Sequence, residues 1–157
     1  MGVEIERKFL VEGDSWRAHA DAGVRIAQGY LCSDSARTIR VRTMGERAYL
    51  TIKGALVGLT RAEFEYEISA EDVRELLATM ALPTPIDKTR YTVMHDGMEW
   101  VVDEFHGDNA PLVMAEVELE SEDQEVDLPD WVGLEVSNDS RFSNSNLSAQ
   151  PFGNWAG

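Results

Sequence analysis

The chain is poor in the residues that build soft-metal, redox and nucleophile sites. One cysteine, Cys32, and three scattered histidines, His19, His95 and His106, stand among 157 residues. A single thiol forms no internal disulfide, which fits a reducing compartment and a cytoplasmic protein. Cys32 reads as a small buried residue with no assigned role. The histidines lack ligand-like spacing and each reads as a surface or turn residue, so zinc is not expected. No apolar run approaches the roughly 18 residues that span a bilayer, and the N-terminus, charged from Glu4 onward, lacks the apolar segment of a signal peptide. Positive charge is scarce: 14 Lys and Arg against 29 Asp and Glu give a net charge of −15. That balance argues against a non-specific nucleic-acid binder, which carries a basic footprint. There is no G-x-x-x-x-G-K-[ST] phosphate loop and no Ser/His/Asp or Cys/His constellation.

What the chain does have is alternation. The opening run Met1–Val11 places Glu4, Glu6 and Lys8 on one face of a strand and Val3, Ile5, Arg7 and Phe9 on the other. A short helix over Trp16–Ala22 and a strand over Ile26–Leu31 follow. Thr38–Thr43 puts Arg40 and Arg42 on one face. Gly45-Glu46 is a turn signal, and Ala48–Lys53 returns with Thr51 and Lys53 aligned. After a glycine-containing loop, Arg61, Glu63, Glu65 and Glu67 alternate with Ala62, Phe64, Tyr66 and Ile68. Ser69, with Asp72 three residues on, starts a helix over Ala70–Met80 whose apolar face is Val73, Leu76, Leu77 and Met80, all expected in the core. The Pro83-Thr84-Pro85 stretch ends it. Lys88 and Arg90 share a face of the next strand, His95-Asp96-Gly97 is a hairpin turn, and Asp103 lies on the return strand. Glu116, Glu118 and Glu120 lie on one face of Leu112–Glu120. An acidic connection, a short strand or turn near 131–136 and a short helix near 139–147 complete one domain over 1–150. Residues 151–157 read as a loosely ordered tail.

The charged strand faces gather nine acids and seven bases, half of all the basic residues, so the net negative charge of the chain lies elsewhere. Two arrangements satisfy the pattern. One is an antiparallel sheet with a solvated face of cross-strand charge pairs. The other is a sheet closed on itself with a polar lumen. A lumen of ionised groups is costly unless they are paired, hydrated or bound to a ligand. Carboxylates spaced i, i+2 on two strands, Glu4/Glu6 and Glu116/Glu118, suit a hard divalent cation such as Mg²⁺ or Mn²⁺. The Arg and Lys set suits phosphate oxygens, which Arg grips bidentately.

In order along the chain, Glu4-Ile5-Glu6-Arg7-Lys8, Gln28-Gly29-Tyr30-Leu31, Arg40-Val41-Arg42, Thr51-Ile52-Lys53, Arg61 through Glu67, Lys88-Thr89-Arg90-Tyr91, Val102-Asp103, Glu116-Val117-Glu118 and Asn144-Ser145-Asn146-Leu147 resemble the motifs of the CYTH superfamily, the triphosphate tunnel metalloenzymes. The resemblance covers nearly the whole chain. It implies an α+β, mainly β fold: a closed eight-stranded antiparallel barrel with a charged lumen and helices packed outside. It implies metal-dependent hydrolysis of a triphosphate, most like the small bacterial tripolyphosphatases, with class IV adenylyl cyclase and thiamine or nucleoside triphosphatase as alternatives. A polyphosphate-binding module is the non-enzymatic alternative. On this reading Glu4, Glu6, Glu116 and Glu118 hold the metal. Lys8, Arg40, Arg42, Lys53, Arg61, Lys88 and Arg90 bind phosphates, and Glu63, Glu65 and Asp103 serve a second metal or position water. Lys8 and Tyr30 form a dyad that activates water. The expected partner is a small-molecule triphosphate, without nucleic acid or membrane, and a homodimer is the expected assembly if the chain self-associates.

Overall fold

The computed structural model describes residues 2–82 and 85–155. Its strands are β1 (Gly2–Val11), β2 (Val24–Ser33), β3 (Arg37–Met44), β4 (Arg47–Gly54), β5 (Thr60–Ile68), β6 (Ile86–His95), β7 (Met98–Phe105), β8 (Val113–Glu118) and β9 (Val132–Glu135). Two α-helices, α1 (Ala70–Thr79) and α2 (Asn144–Ala149), accompany them. The strands run side by side in the order β5-β4-β3-β2-β6-β7-β8-β1, and β1 pairs back onto β5. The result is a closed eight-stranded antiparallel barrel, with β9 as an extra strand on β1.

Closure depends on how β1 divides its edges. Gly2–Ile5 pair with β5, while Glu6–Leu10 pair with β8 on the other side. Beyond the reach of β5, β9 takes over at Phe9 and Val11. Tight turns set the register. Asp96 and Gly97 both have positive φ, 50° and 75°, as the two-residue turn between β6 and β7 requires. Gly45, at φ 61°, turns β3 into β4.

Once the sheet closes, the period-two pattern sorts itself into inside and outside. Outward faces form most of the apolar core. Phe9, Trp100, Val102, Ala115 and Val117 pack with Trp16 and Trp131 against the outside of β1, β7 and β8. On the opposite wall, Val41 and Ala48 pack beneath Val73 of α1. Helix α1 starts where the sequence indicates, with Ser69 Oγ accepting the Asp72 amide. It ends one residue short of the expected Met80, however: Met80 is the C-cap and is 65% exposed rather than in the core. Leu76 and Leu77 are half-buried. The Pro83-Thr84 stop lies outside the described residues. The segment after β1 forms a single 3₁₀ turn, Ser15–His19, in place of the expected helix over Trp16–Ala22. Cys32 is half-buried rather than buried. Among the described residues no helix is long and apolar enough to cross a membrane.

One end of the lumen is apolar. Leu10, Ile86, Phe105 and Met114 continue the inward positions of β1, β6, β7 and β8, and Phe142 and Leu147 pack over them. Helix α1 thus lies outside the barrel, whereas α2 seals an end of it. Residues 151–155, expected as a loosely ordered tail, instead fold back on this seal, with Trp155 tilted against Phe152 and edge-on to Phe142.

Candidate active site

The inward face of the barrel encloses a cavity of about 290 Å³. Seven carboxylates and seven cations line it: Glu4, Glu6, Glu63, Glu65, Glu99, Glu116 and Glu118 against Lys8, Arg40, Arg42, Lys53, Arg61, Lys88 and Arg90. Every metal and phosphate residue expected from the sequence therefore faces one space, and so does Tyr30. Asp103 lies beneath the surface of this space, bound to two of its cations. Half of the chain's Lys and Arg residues converge here although the chain as a whole is strongly acidic.

Crowded charges in a desolvated lumen must be compensated, and the pairs fall into three groups. Glu4 accepts from Lys53 at 3.0 Å and from Arg61 at 3.3 Å. Burial works to raise its pKa. A hydrogen bond from Glu63 and the two cations outweigh that, and the carboxyl ionises well below the usual range. Glu63 goes the other way: burial and its hydrogen bond to Glu4 favour the protonated form. Glu65 accepts from Thr51 at 2.8 Å and pairs with Arg42 at 3.3 Å and Arg40 at 3.6 Å. Burial and the neighbouring Arg40 and Arg90 bring the Arg42 guanidinium down to about 10. Asp103 takes both nitrogens of Arg90, at 2.8 and 2.9 Å, and Lys88 Nζ at 2.9 Å. Although burial opposes ionisation, these cations hold Asp103 well below the usual carboxylate range. Lys88, only 1% exposed, is brought down to about 7 by burial, against the pull of Asp103 and with the help of Arg90.

The remaining acids differ. Among the described residues Glu6, Glu99 and Glu118 form no ion pair, whereas Glu116 pairs with Lys8 at 3.6 Å and Arg90 at 3.8 Å. Glu6 stands directly opposite Glu118 in the β1–β8 ladder. Glu99 lies one step beyond the Trp100–Val117 pair of β7 and β8, the step at which Glu118 also lies. Burial first, then the charges of Glu116 and Glu4, push Glu6 up to about 8. Glu63, Glu65 and Asp103 spend their oxygens on cations, while the row next to Glu6 does not.

This donor set fits a hard divalent cation. It consists of carboxylate oxygens alone, and a dication beside Glu6 relieves the repulsion that keeps its proton on. As the side chains are oriented, no group of three or more acidic or soft ligands among the described residues stands ready to hold an ion. The basic wall fits an anion. Nε of Arg40 and Nε of Arg42 are buried without an acceptor, and buried donors of that kind are rare because each is costly.

Glu6 gives the metal-free protein a distinctive pH response. In the unfolded chain it ionises near 4.5 and in the fold near 8. Between those values the native state binds the extra proton, so raising the pH lowers stability. Lys88 acts oppositely, but only above its folded value of about 7. Urea melts of the metal-free protein should show stability falling from pH 5 to 7. The fall should be shallower in Glu6→Gln, with Glu63 contributing what remains; an unchanged slope in that variant sinks the assignment.

Several lining residues carried no role in the sequence. Glu99 sits on a strand whose pattern drew attention to Asp103, and its alignment with Glu118 arises only from the β7–β8 register. Ser143, Asn144 and Ser145 reach the cavity from the start of α2; Asn144 Oδ1 accepts from Lys88 Nζ at 2.8 Å. Tyr30 is hydrogen-bonded to Gln28 at 3.1 Å, and Lys8 pairs with Glu116, so no hydrogen bond joins Lys8 to Tyr30 among the described residues.

Comparisons with known proteins agree with this fold. The CYTH domain matches residues 2–148. The chain is 43% identical over 155 residues to an inorganic triphosphatase of Acetivibrio thermocellus, covering 99% of both chains. It is 37% identical over 151 residues to an inorganic triphosphatase of Nitrosomonas europaea, covering 93% of this chain and 97% of that one. Among solved structures, the inorganic triphosphatase NE1496 superposes with a TM-score of 0.66 at 34% identity, over 94% of this chain and 95% of the other.

Proposed function

Because the chain belongs to the CYTH domain family, we propose that it hydrolyses inorganic triphosphate to pyrophosphate and phosphate inside the barrel, in a reaction that depends on Mg²⁺ or Mn²⁺. The observation that carries this reading is what one cavity brings together: seven cations, of which Arg40 and Arg42 keep unsatisfied buried donors, and the carboxylates Glu6 and Glu118, which form no ion pair among the described residues. Both inorganic triphosphatase relatives support it.

In this reading Arg40, Arg42, Lys53, Arg61, Lys88 and Arg90 hold the phosphate chain. They neutralise the charge that spreads over its oxygens as the bridging bond breaks. Lys8 joins them: burial opposes its charge, but Glu116 and Glu6 raise its pKa and keep the ammonium protonated. Glu6 and Glu118, with Glu4 and Glu116 once their ion pairs open, would hold the divalent cation, which would supply further positive charge to the phosphate oxygens. Asp103 orients Lys88 and Arg90, while Glu65 orients Arg40 and Arg42; Glu63 and Glu65 reach a second ion or a water only when their ion pairs open. Tyr30, with Lys8, holds the attacking water. The water oxygen bonds to the terminal phosphorus, the bridging P–O bond breaks, pyrophosphate leaves and the water proton passes to the product phosphate. Positioning and charge neutralisation are the main requirements of phosphoryl transfer.

Residues 1–150 act as one catalytic unit in this reading. The lone cysteine supports a cytoplasmic location and the acidic balance supports the absence of a nucleic-acid partner, with no membrane partner proposed and a homodimer as the assembly if the chain self-associates.

Phosphate release from tripolyphosphate, ATP and thiamine triphosphate, each with Mg²⁺ and with Mn²⁺, tests the proposal. Tripolyphosphate is expected to be hydrolysed fastest, and only with metal. Cyclic AMP formed from ATP faster than tripolyphosphate is cleaved would assign the tunnel to a cyclase. Tight binding without turnover would assign it to a polyphosphate-binding module.

A further inference from the structure

Lys88, Asn144, Gln28 and Tyr30 form a continuous chain of hydrogen bonds. Lys88 Nζ donates to Asn144 Oδ1 at 2.8 Å. Gln28 Nε2 donates to the same oxygen at 3.2 Å and to Tyr30 Oη at 3.1 Å. An ammonium has donors and no acceptor, so Lys88 must give and Asn144 must present its oxygen. That oxygen only accepts, so Gln28 must turn its amide nitrogen toward it. The second hydrogen of the same nitrogen then points at the Tyr30 hydroxyl. Each link fixes the sense of the next.

The fold bears a cost for this arrangement. Gln28 is 0% exposed, and its oxygen Oε1 is buried without a partner. Flipping the amide would set that oxygen against Asn144 Oδ1, two acceptors face to face. Gln28 is held between Arg42 of β3 and Ile86 of β6 in the sheet register, so it has no room to leave. Tyr30 is 3% exposed and lines the cavity. Because its oxygen already accepts from Gln28, its own proton is free to point into the cavity.

Resting on the triphosphatase reading above, we propose that Gln28 and Asn144 are positioning residues: the relay from Lys88 holds the Tyr30 hydroxyl with its oxygen toward Gln28 and its proton toward the substrate and the attacking water. The start of α2 is thereby part of the reacting centre, although Asn144 lies 56 residues from Lys88 and 116 from Gln28. Asn144 acts in two directions, on Lys88 and, through Gln28, on Tyr30.

A double-mutant cycle on the full chain with tripolyphosphate and Mg²⁺ or Mn²⁺ separates this role from general packing. Gln28→Met, of nearly the same length, is expected to lower kcat about tenfold, the worth of one well-made hydrogen bond. KM should stay within about twofold, since the phosphate-binding cations are untouched. Added to Tyr30→Phe, Gln28→Met is expected to lower kcat no further, because the group it positions is gone. Asn144→Leu should lower kcat in the wild-type background and less so in Tyr30→Phe, where only its hold on Lys88 remains; it supplies the same test should Gln28→Met fail to fold. Effects that multiply independently, a Gln28→Met variant with the wild-type kcat, or a Tyr30→Phe variant with the wild-type kcat overturns the proposal while leaving the triphosphatase reading intact. A wild-type protein that releases no phosphate from tripolyphosphate with either metal overturns both.

Discussion

Asp103→Ala is expected to cost about 3–5 kcal/mol of folding stability, the range for removing one partner of a buried ion pair. Asp103 is 2% exposed and is the one anion bonded to both Lys88 and Arg90. Without it, two buried cations face each other with only the longer 3.8 Å contact of Arg90 to Glu116 in compensation. Lys88 can escape by losing its proton, since its pKa is already about 7; Arg90 cannot. The deficit should therefore deepen as the pH is lowered below 7. Inorganic triphosphate should restore part of it, because an anion that binds only the folded state stabilises that state. Urea denaturation at pH 6 and 8, with and without the anion, measures all three effects. A loss below about 1 kcal/mol, the scale of a surface pair, would show that the cations need no buried counterion.

The second large effect is on turnover. Glu6→Gln/Glu118→Gln should lower the metal-dependent release of phosphate by about 100-fold or more, beyond the 10–100-fold that residues merely supporting a metal site contribute. The same double variant should be at least as stable as the wild type without metal. Gln removes the cost of burying a charge beside Glu116 and Glu4, which raises Glu6 to about 8, and among the described residues neither residue forms an ion pair that the change would break. Loss of activity with retained stability is the signature of a ligand site; loss of both would describe a structural pair. Electron paramagnetic resonance of Mn²⁺ titrated into the protein without substrate reads the binding directly. An undiminished Mn²⁺ affinity in the variant would remove Glu6 and Glu118 from the metal site.

These expectations depend differently on sequence and on fold. The inward residues of most lumen strands were legible, Glu99 being an exception, because strict alternation assigns Glu4, Glu6 and Lys8, or Arg40 and Arg42, to one face whatever that face meets. The partners of those residues were not. Glu63, Glu65 and Asp103 are acidic residues of the same type as Glu6, and only the register shows that they spend their oxygens on Lys53, on Arg40 and Arg42, and on Lys88 and Arg90. Met80 carried helical spacing yet ended up exposed, because the helix stopped at Thr79 and spacing does not report where a helix ends.

The sequence by itself determined which side chains share a face, how many charges of each sign those faces carry, and the turns that join them. Alternation by itself left open whether this face is a lumen; the motif resemblance implied it, and the closed sheet establishes it. A period of two is the same for a solvated sheet and a closed barrel, and the difference lies in the pairing of Gly2–Ile5 with a strand about 60 residues away. That closure turns an ordinary row of surface charges into an enclosed, crowded space. It sets Glu6 in one row with the exposed Glu99 and Glu118, none of them in an ion pair among the described residues. It also lets Asn144, from a helix beyond the last strand, fix the direction of hydrogen bonds that reach Tyr30.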